Sequence, residues 1–207
     1  IVDLANSGLA IEQNSRLLIL DLSDQPGFVT ELEFADGPHS LAGVHEREAV
    51  IADFNGDGID DFFIADHGLD RNPFPGAQNM LVLSSAIGPI DVTATNIPQI
   101  DDMSHGADGG DIDNDGYPEI VVNNSNDENL SLWKNLTTQN NNWLKIKLEG
   151  TLSNKQGVGS IIEISVNGEK QCRYTHCGEG YLSQNSQSEF FGIGQNTTVD
   201  YVKVTWL

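Results

Sequence analysis

Positive charge is scarce in this chain. Its 207 residues hold 10 Lys and Arg against 31 Asp and Glu, a formal net charge of −21. Nucleic acid and anionic lipid surfaces would both repel such a protein, so neither is an expected partner. No apolar run approaches the roughly 18 residues of a membrane-spanning helix, so membrane insertion is not expected either. Helical periodicity is hard to find anywhere, and the three- and seven-residue periods of collagen and coiled coil are missing. No Ser or Cys stands beside a matching base, and no catalytic residue is assigned. His39, His45, His67 and His105 are read as turn or packing residues. Cysteine is limited to Cys172 and Cys177. The four residues between them allow a small disulfide loop, but two free, partly buried thiols fit the sequence as well.

What remains is the pattern of an all-β protein: short runs of Val, Ile, Leu, Phe and Trp separated by Gly, Asn, Asp and Pro. Strands are predicted at 16–22, 49–52, 61–65, 80–84, 119–123, 130–135, 143–148, 160–166, 171–174, 189–193 and 199–206. The acid is unevenly placed. Residues 1–145 carry 25 acidic and 5 basic side chains, a net of −20, whereas residues 146–207 net −1. This asymmetry divides the chain into a repeat region, 1–141, and a second β module, 142–207. Thirteen of the 25 acids fall in the windows 53–70 and 101–119, which a merely solvated surface would not produce.

Those windows belong to an internal repeat. AVIADFNGDGIDDFFIADHG, from Ala49, aligns with ADGGDIDNDGYPEIVVNNSN, from Ala107, so that Asp53 matches Asp111 at an offset of 58. Each copy leads into an alternating apolar strand, Leu81-Val82-Leu83 or Leu130-Ser131-Leu132. A third such strand, Leu18-Ile19-Leu20, has no acidic loop before it, so residues 1–45 read as an incomplete blade. Repeats of this length with about four short strands suggest partial β-propeller-like blades, although a closed propeller has at least about four of them. Open blade edges would then need a cover or a partner. The chain opens on Ile1 without a basic-then-apolar leader and stops within a predicted strand, so both ends are expected to be processed or to continue beyond this sequence.

The repeated nonapeptides carry the chemistry. In the first, Asp53, Asn55, Asp57 and Asp61 place oxygen-bearing side chains at positions 1, 3, 5 and 9, Gly58 permits the turn, and the Ile59 carbonyl supplies a further ligand. In the second, Asp111, Asp113, Asp115 and Glu119 repeat the scheme, with the Tyr117 carbonyl. Alternate residues of a tight turn converge their oxygens on one centre, as calcium requires with its six to eight oxygens at about 2.3–2.6 Å. Two Ca2+ sites are therefore expected. These are not EF-hands, whose loop of about twelve residues ends in Glu and lies between helices. Magnesium suits such a carboxylate-rich cage less well, and zinc lacks its His and Cys ligands.

These loops resemble FG-GAP/VCBS-type repeats, the calcium-loop blades of integrin-like propellers and of many secreted bacterial proteins. The segment from Asn142 is similar to the ASPIC/UnbV domain that often follows such blades, through WLKIKL, the SN…GVGS turn, GYLSQ, FGIG and the closing VKVTW strand. The resemblance implies four-stranded blades with calcium at the first hairpin, held by the residues named above, and a C-terminal β-sandwich-like module with no defined substrate. Glu119 stands where the family has Asp. The expected function is that of an extracellular, secreted or cell-surface calcium-binding structural or adhesion protein, assembling with itself or with a protein partner through open β edges. The alternative is a calcium-dependent, lectin-like module that binds glycans, although Trp133 and Trp143 lie in predicted strands and are expected in cores. Asn-x-Ser/Thr sequons occur at Asn123, Asn129, Asn135 and Asn196.

Overall fold

In a computed structural model of the chain, the residues described are 16–21, 27–33, 46–68, 72–125, 129–152, 154–181 and 183–207, with backbone alone for those before residue 48. They form short strands with one helical turn and no closed barrel or propeller. None of their helices is long and apolar enough to cross a membrane.

Strands β1 (Arg16–Asp21) and β2 (Gly27–Glu33) make an antiparallel hairpin, of which only β1 is evident from the sequence. The first repeat copy is a four-stranded antiparallel sheet in the order β3-β4-β6-β7, built from β3 (Glu46–Ala52), β4 (Asp61–Asp66), β6 (Met80–Leu83) and β7 (Ile90–Asp91). The short β5 (Ala77–Gln78) pairs with β8 (Asp101–Asp102). Between β7 and β8 stands α1 (Thr93–Asn96), a single turn. Thr93 fixes it to the sheet, because its Oγ1 accepts the Leu81 N–H at 2.9 Å.

The second copy departs from the expected four-stranded blade. Its sheet has three strands, β9 (Ser104–Gly110), β10 (Glu119–Asn124) and β11 (Ser131–Trp133), in the order β11-β10-β9. After Trp133 the chain forms no fourth strand but runs as an irregular strap over residues 134–141.

One core serves both copies. Every residue of β4 is buried, and alternation splits them between its faces. Phe63 and Ala65 join Val50, Phe54, Leu81, Ala107, Ile120 and Val122 in the main cluster. Ile64 packs with Met80 on the other side. Trp133 meets Phe63 edge-on, with ring centroids 5.4 Å apart, so the expected core role of this tryptophan holds. Strand β9, Ser-His-Gly-Ala-Asp-Gly-Gly, has no apolar alternation to mark it. Its composition follows from close backbone approach: a Cβ at Gly109 would come within 2.7 Å of Val50 Cγ1.

The C-terminal module is built from two sheets. Strand β12 (Asn142–Lys147) pairs with β15 (Ser188–Gly194), and β13 (Ile161–Val166) lies between β14 (Glu169–Tyr174) and β16 (Tyr201–Thr205). Ile162, Ile164 and Val166 from one sheet meet Phe191 and Ile193 from the other, with Leu144 and Ile146 against them. The sandwich-like arrangement is thus a shared core between two small sheets.

Candidate metal centre

The two acidic loops lie between the first two strands of their copies, β3 and β4 in one and β9 and β10 in the other. Their backbones match at the offset of 58. Gly56 and Asn114 both have positive φ, 74° and 60°, as do Gly58 and Gly116, 94° and 96°. Asn is the residue type that tolerates this region best after glycine. The side chains at positions 3 and 5 brace the turn in the same way in each copy. Asn55 Oδ1 accepts the Asp57 N–H and Asp57 Oδ1 accepts the Ile59 N–H, both at 2.9 Å. Asp113 accepts from Asp115 at 3.2 Å, and Asp115 accepts from Tyr117 at 3.0 Å.

Position 9 also repeats. Asp61 accepts the Phe54 N–H at 2.9 Å and the Ser84 N–H at 2.8 Å, tying the loop to the third strand of its sheet. Glu119 makes the two equivalent bonds, to the N–H groups of Ile112 at 2.8 Å and Asn135 at 3.4 Å. Its longer arm reaches the same partners as the aspartate.

Position 1 separates the copies. The Asp53 carboxylate accepts three backbone N–H groups, from Gly56 at 2.7 Å, Asp57 at 3.1 Å and Gly58 at 2.8 Å. Burial nevertheless pushes its carboxyl up to about 6, and that of Asp61 up to about 7, because desolvation disfavours the charged form more than these donors favour it. In the second loop, Asp111 has a side chain only 1% exposed, and its Oδ1 has no hydrogen-bond partner. Oxygens of Asp111, Asp113 and Asp115 all lie within 4.8 Å of one another. Two ligands on opposite sides of an ion at about 2.4 Å are at most about 4.8 Å apart, so these three oxygens can share one calcium. The second loop therefore fits the ion. The first fits less closely, since the oxygens of Asp53 are already engaged by its own turn.

Both loops are covered, by the strap and by strands of the C-terminal module. In the strap, Asn135 Nδ2 donates to the Phe54 carbonyl at 2.9 Å and the Pro118 carbonyl at 3.1 Å, joining the two loops. Asn141 Nδ2 donates to the Asn55 carbonyl at 2.9 Å, and its N–H donates to Tyr117 Oη at 3.1 Å. The Tyr117 hydroxyl donates in turn to the Gln139 carbonyl. Strand β15 lies on the first loop, where Asp53 Oδ2 fills the space that a Cβ on Gly192 would need. Strand β12 lies on the second, with the Trp143 ring over Gly116. Trp143 also stacks on Phe190 at 5.9 Å and is 37% exposed, so it is a cover rather than the core residue expected.

The segment that carries β15 has a recognisable sequence. Residues 150–207 match the family model for ASPIC and UnbV. No curated protein matches the chain. Strand β12 precedes the matched segment but pairs along its length with β15 inside it, so the sheet to which β15 belongs begins at Asn142.

The remaining candidate residues fall outside this centre. Cys172 and Cys177 are free thiols, and both are exposed rather than partly buried. Partial desolvation of the Cys172 sulfur by its neighbours, and then the carboxylate of Glu163, push its thiol pKa up. His67 is buried edge-on against His105, with ring centroids 4.3 Å apart, and His105 lies 6.2 Å from Tyr181. His39 and His45 lie outside the described residues. Among the sequons, Asn123 and Asn129 are exposed, whereas the amides of Asn135 and Asn196 are donated to backbone carbonyls. The sequence showed the loops plainly. It did not show that Lys134, Lys145 and Arg173 reach the loop acids, from the strap, β12 and β14 respectively.

Proposed function

We propose that this chain is a calcium-binding structural or adhesion module, with FG-GAP/VCBS-type repeats followed by the ASPIC/UnbV module, and that it works outside the cell. The observation that carries the reading is the approach of oxygens of Asp111, Asp113 and Asp115 to within 4.8 Å of one another, in a turn where the buried Asp111 Oδ1 has no hydrogen-bond partner. A carboxylate oxygen left without a partner at such depth is costly, and a divalent cation relieves the cost. Extracellular calcium is abundant enough to fill even weak sites of this type. Asp111, Asp113 and Asp115 would hold the ion, with the Tyr117 carbonyl and Glu119 near it. Asp53, Asn55, Asp57, Ile59 and Asp61 would form the weaker site. The ion supplies charge neutralisation and a fixed turn; no reaction is assigned to it, and the chain is a binding module rather than an enzyme.

Assembly through sheet edges is part of the same proposal. Among the described residues no strand pairs with the outer edge of β7 or of β11, and exposed Ile90, Leu130 and Leu132 lie along them. Such edges favour pairing with a second copy or another chain. Size-exclusion chromatography and negative-stain imaging, with calcium and with a chelator, test this. Calcium-dependent oligomers or fibres are expected, and a monodisperse monomer under both conditions removes the assembly proposal.

A further inference from the structure

Lys145 belongs to β12 of the ASPIC/UnbV module, yet its ammonium points into the second acidic loop. Its Nζ lies 3.1 Å from the Asp111 carbonyl oxygen, 3.4 Å from Asp111 Oδ2 and 3.1 Å from Asn114 Oδ1. Three oxygens of one turn thus surround a cationic nitrogen, as they would a bound ion. Lys134 Nζ lies 2.5 Å from Asp113 Oδ2 of the same loop. Basic residues are rare here, with five in the first 145 positions, and two of those five converge on one nonapeptide. The first loop is held differently, by the three backbone N–H groups on Asp53.

We propose that Lys145 is a resident counter-cation of the second loop, displaced by calcium, so that cation binding at Asp111, Asp113 and Asp115 is coupled to departure of the Lys145 ammonium from its seat. The proposal rests on the cation reading above. An ion bonded to Asp111 at about 2.4 Å would lie within a few ångströms of the ammonium, where like charges repel strongly. Lys134 is largely exposed and swings away at little cost. Lys145, with a side chain 24% exposed, must leave a more enclosed seat. The loop's apparent calcium affinity is lowered by the fraction of molecules in which that seat is filled. Coupling is reciprocal: calcium expels the ammonium, and loss of the ammonium strengthens calcium binding.

The test is isothermal titration of the full chain with CaCl2, with the first loop silenced by Asp57→Asn. Lys145 is compared with Lys145→Met, which keeps the apolar stem, and Lys145→Arg, which keeps the charge. The Met variant is expected to bind calcium about tenfold more tightly, equivalent to about 1.4 kcal/mol, and the Arg variant within about threefold of the unaltered residue. Equal or weaker binding by a folded Met variant overturns the proposal while leaving the cation site intact. Absence of binding in all three proteins removes the cation site and the proposal together.

Discussion

Arg173 of β14 grips Asp60, which adjoins the last acid of the first loop, across 113 residues of sequence. Its Nη1 donates to Asp60 Oδ2 at 3.1 Å and its Nη2 donates to Oδ1, so the pair is bidentate. The guanidinium also donates from Nε to the Phe190 carbonyl at 3.2 Å and lies 5.2 Å from the Phe191 ring centroid. Arg173→Ala is expected to destabilise the folded chain by about 1–3 kcal/mol, because an enclosed fork and its packing are lost together. Arg173→Lys should recover only part of this, since an ammonium cannot make the paired contact. Urea unfolding of the three proteins measures both effects.

Gly116 and Trp143 make a steric prediction. Gly116 has a φ of 96°, and a Cβ there would collide with the indole ring, whereas one on Gly168, with a φ of 86°, meets nothing within 4 Å. Gly168→Ala should therefore cost only backbone strain, about 1–2 kcal/mol. Gly116→Ala should cost that plus about 1–3 kcal/mol of overpacking, and should shift Trp143 fluorescence. Equal losses in the two variants would show that the ring does not rest on the loop.

Calcium should stabilise the protein by mass action. At a hundredfold excess over the dissociation constant the gain is about 2.7 kcal/mol. For a chain of this size that corresponds to a rise in Tm of roughly 5–10 °C. EDTA should reverse the rise, and the Asp113→Asn, Asp115→Asn double variant should lose most of it. A melting curve that is unchanged by calcium in the unaltered chain would remove the central functional claim.

Glu189 gives a pH dependence that involves neither loop. Burial first, and then the nearby Glu179 carboxylate, push its carboxyl up to about 7 against the pull of Arg173. A carboxyl raised on folding contributes its stability below its ordinary value of 4.5 and loses it as pH rises through about 7. Glu189→Gln should match the unaltered protein near pH 5 and exceed it near pH 8 by about 1 kcal/mol, after allowance for solvent screening. Parallel Tm measurements across this interval show it as a difference that opens with pH.

Strands such as β4, β6, β10 and β13 were legible because each carries a run of bulky apolar residues with a period of two or burial on both faces. Strand β9 was not, since glycine and small polar residues there answer to the neighbouring Val50 rather than to any local pattern. The turn α1 was equally hidden, because its anchor is a hydrogen bond from Leu81 twelve residues away. The acidic loops could be read residue by residue, as their ligand spacing and glycine positions are local. The different settings of Asp53 and Asp111 could not, because they depend on what the C-terminal strands and the strap place against each turn.

Composition and spacing by themselves determined the all-β class, the repeat at 58 residues and the two oxygen-rich turns, since all three rest on interactions between near neighbours in the chain. Only the tertiary structure decided that the second copy stops at three strands, that one core serves both copies and that the strap binds the two loops to each other. It also brought Lys145 and Arg173 to those loops. The physical reason is range: a turn is set by the φ angles and side-chain oxygens of nine residues, whereas the charge that neutralises it comes from strands far along the sequence and is assigned only when the sheets pack.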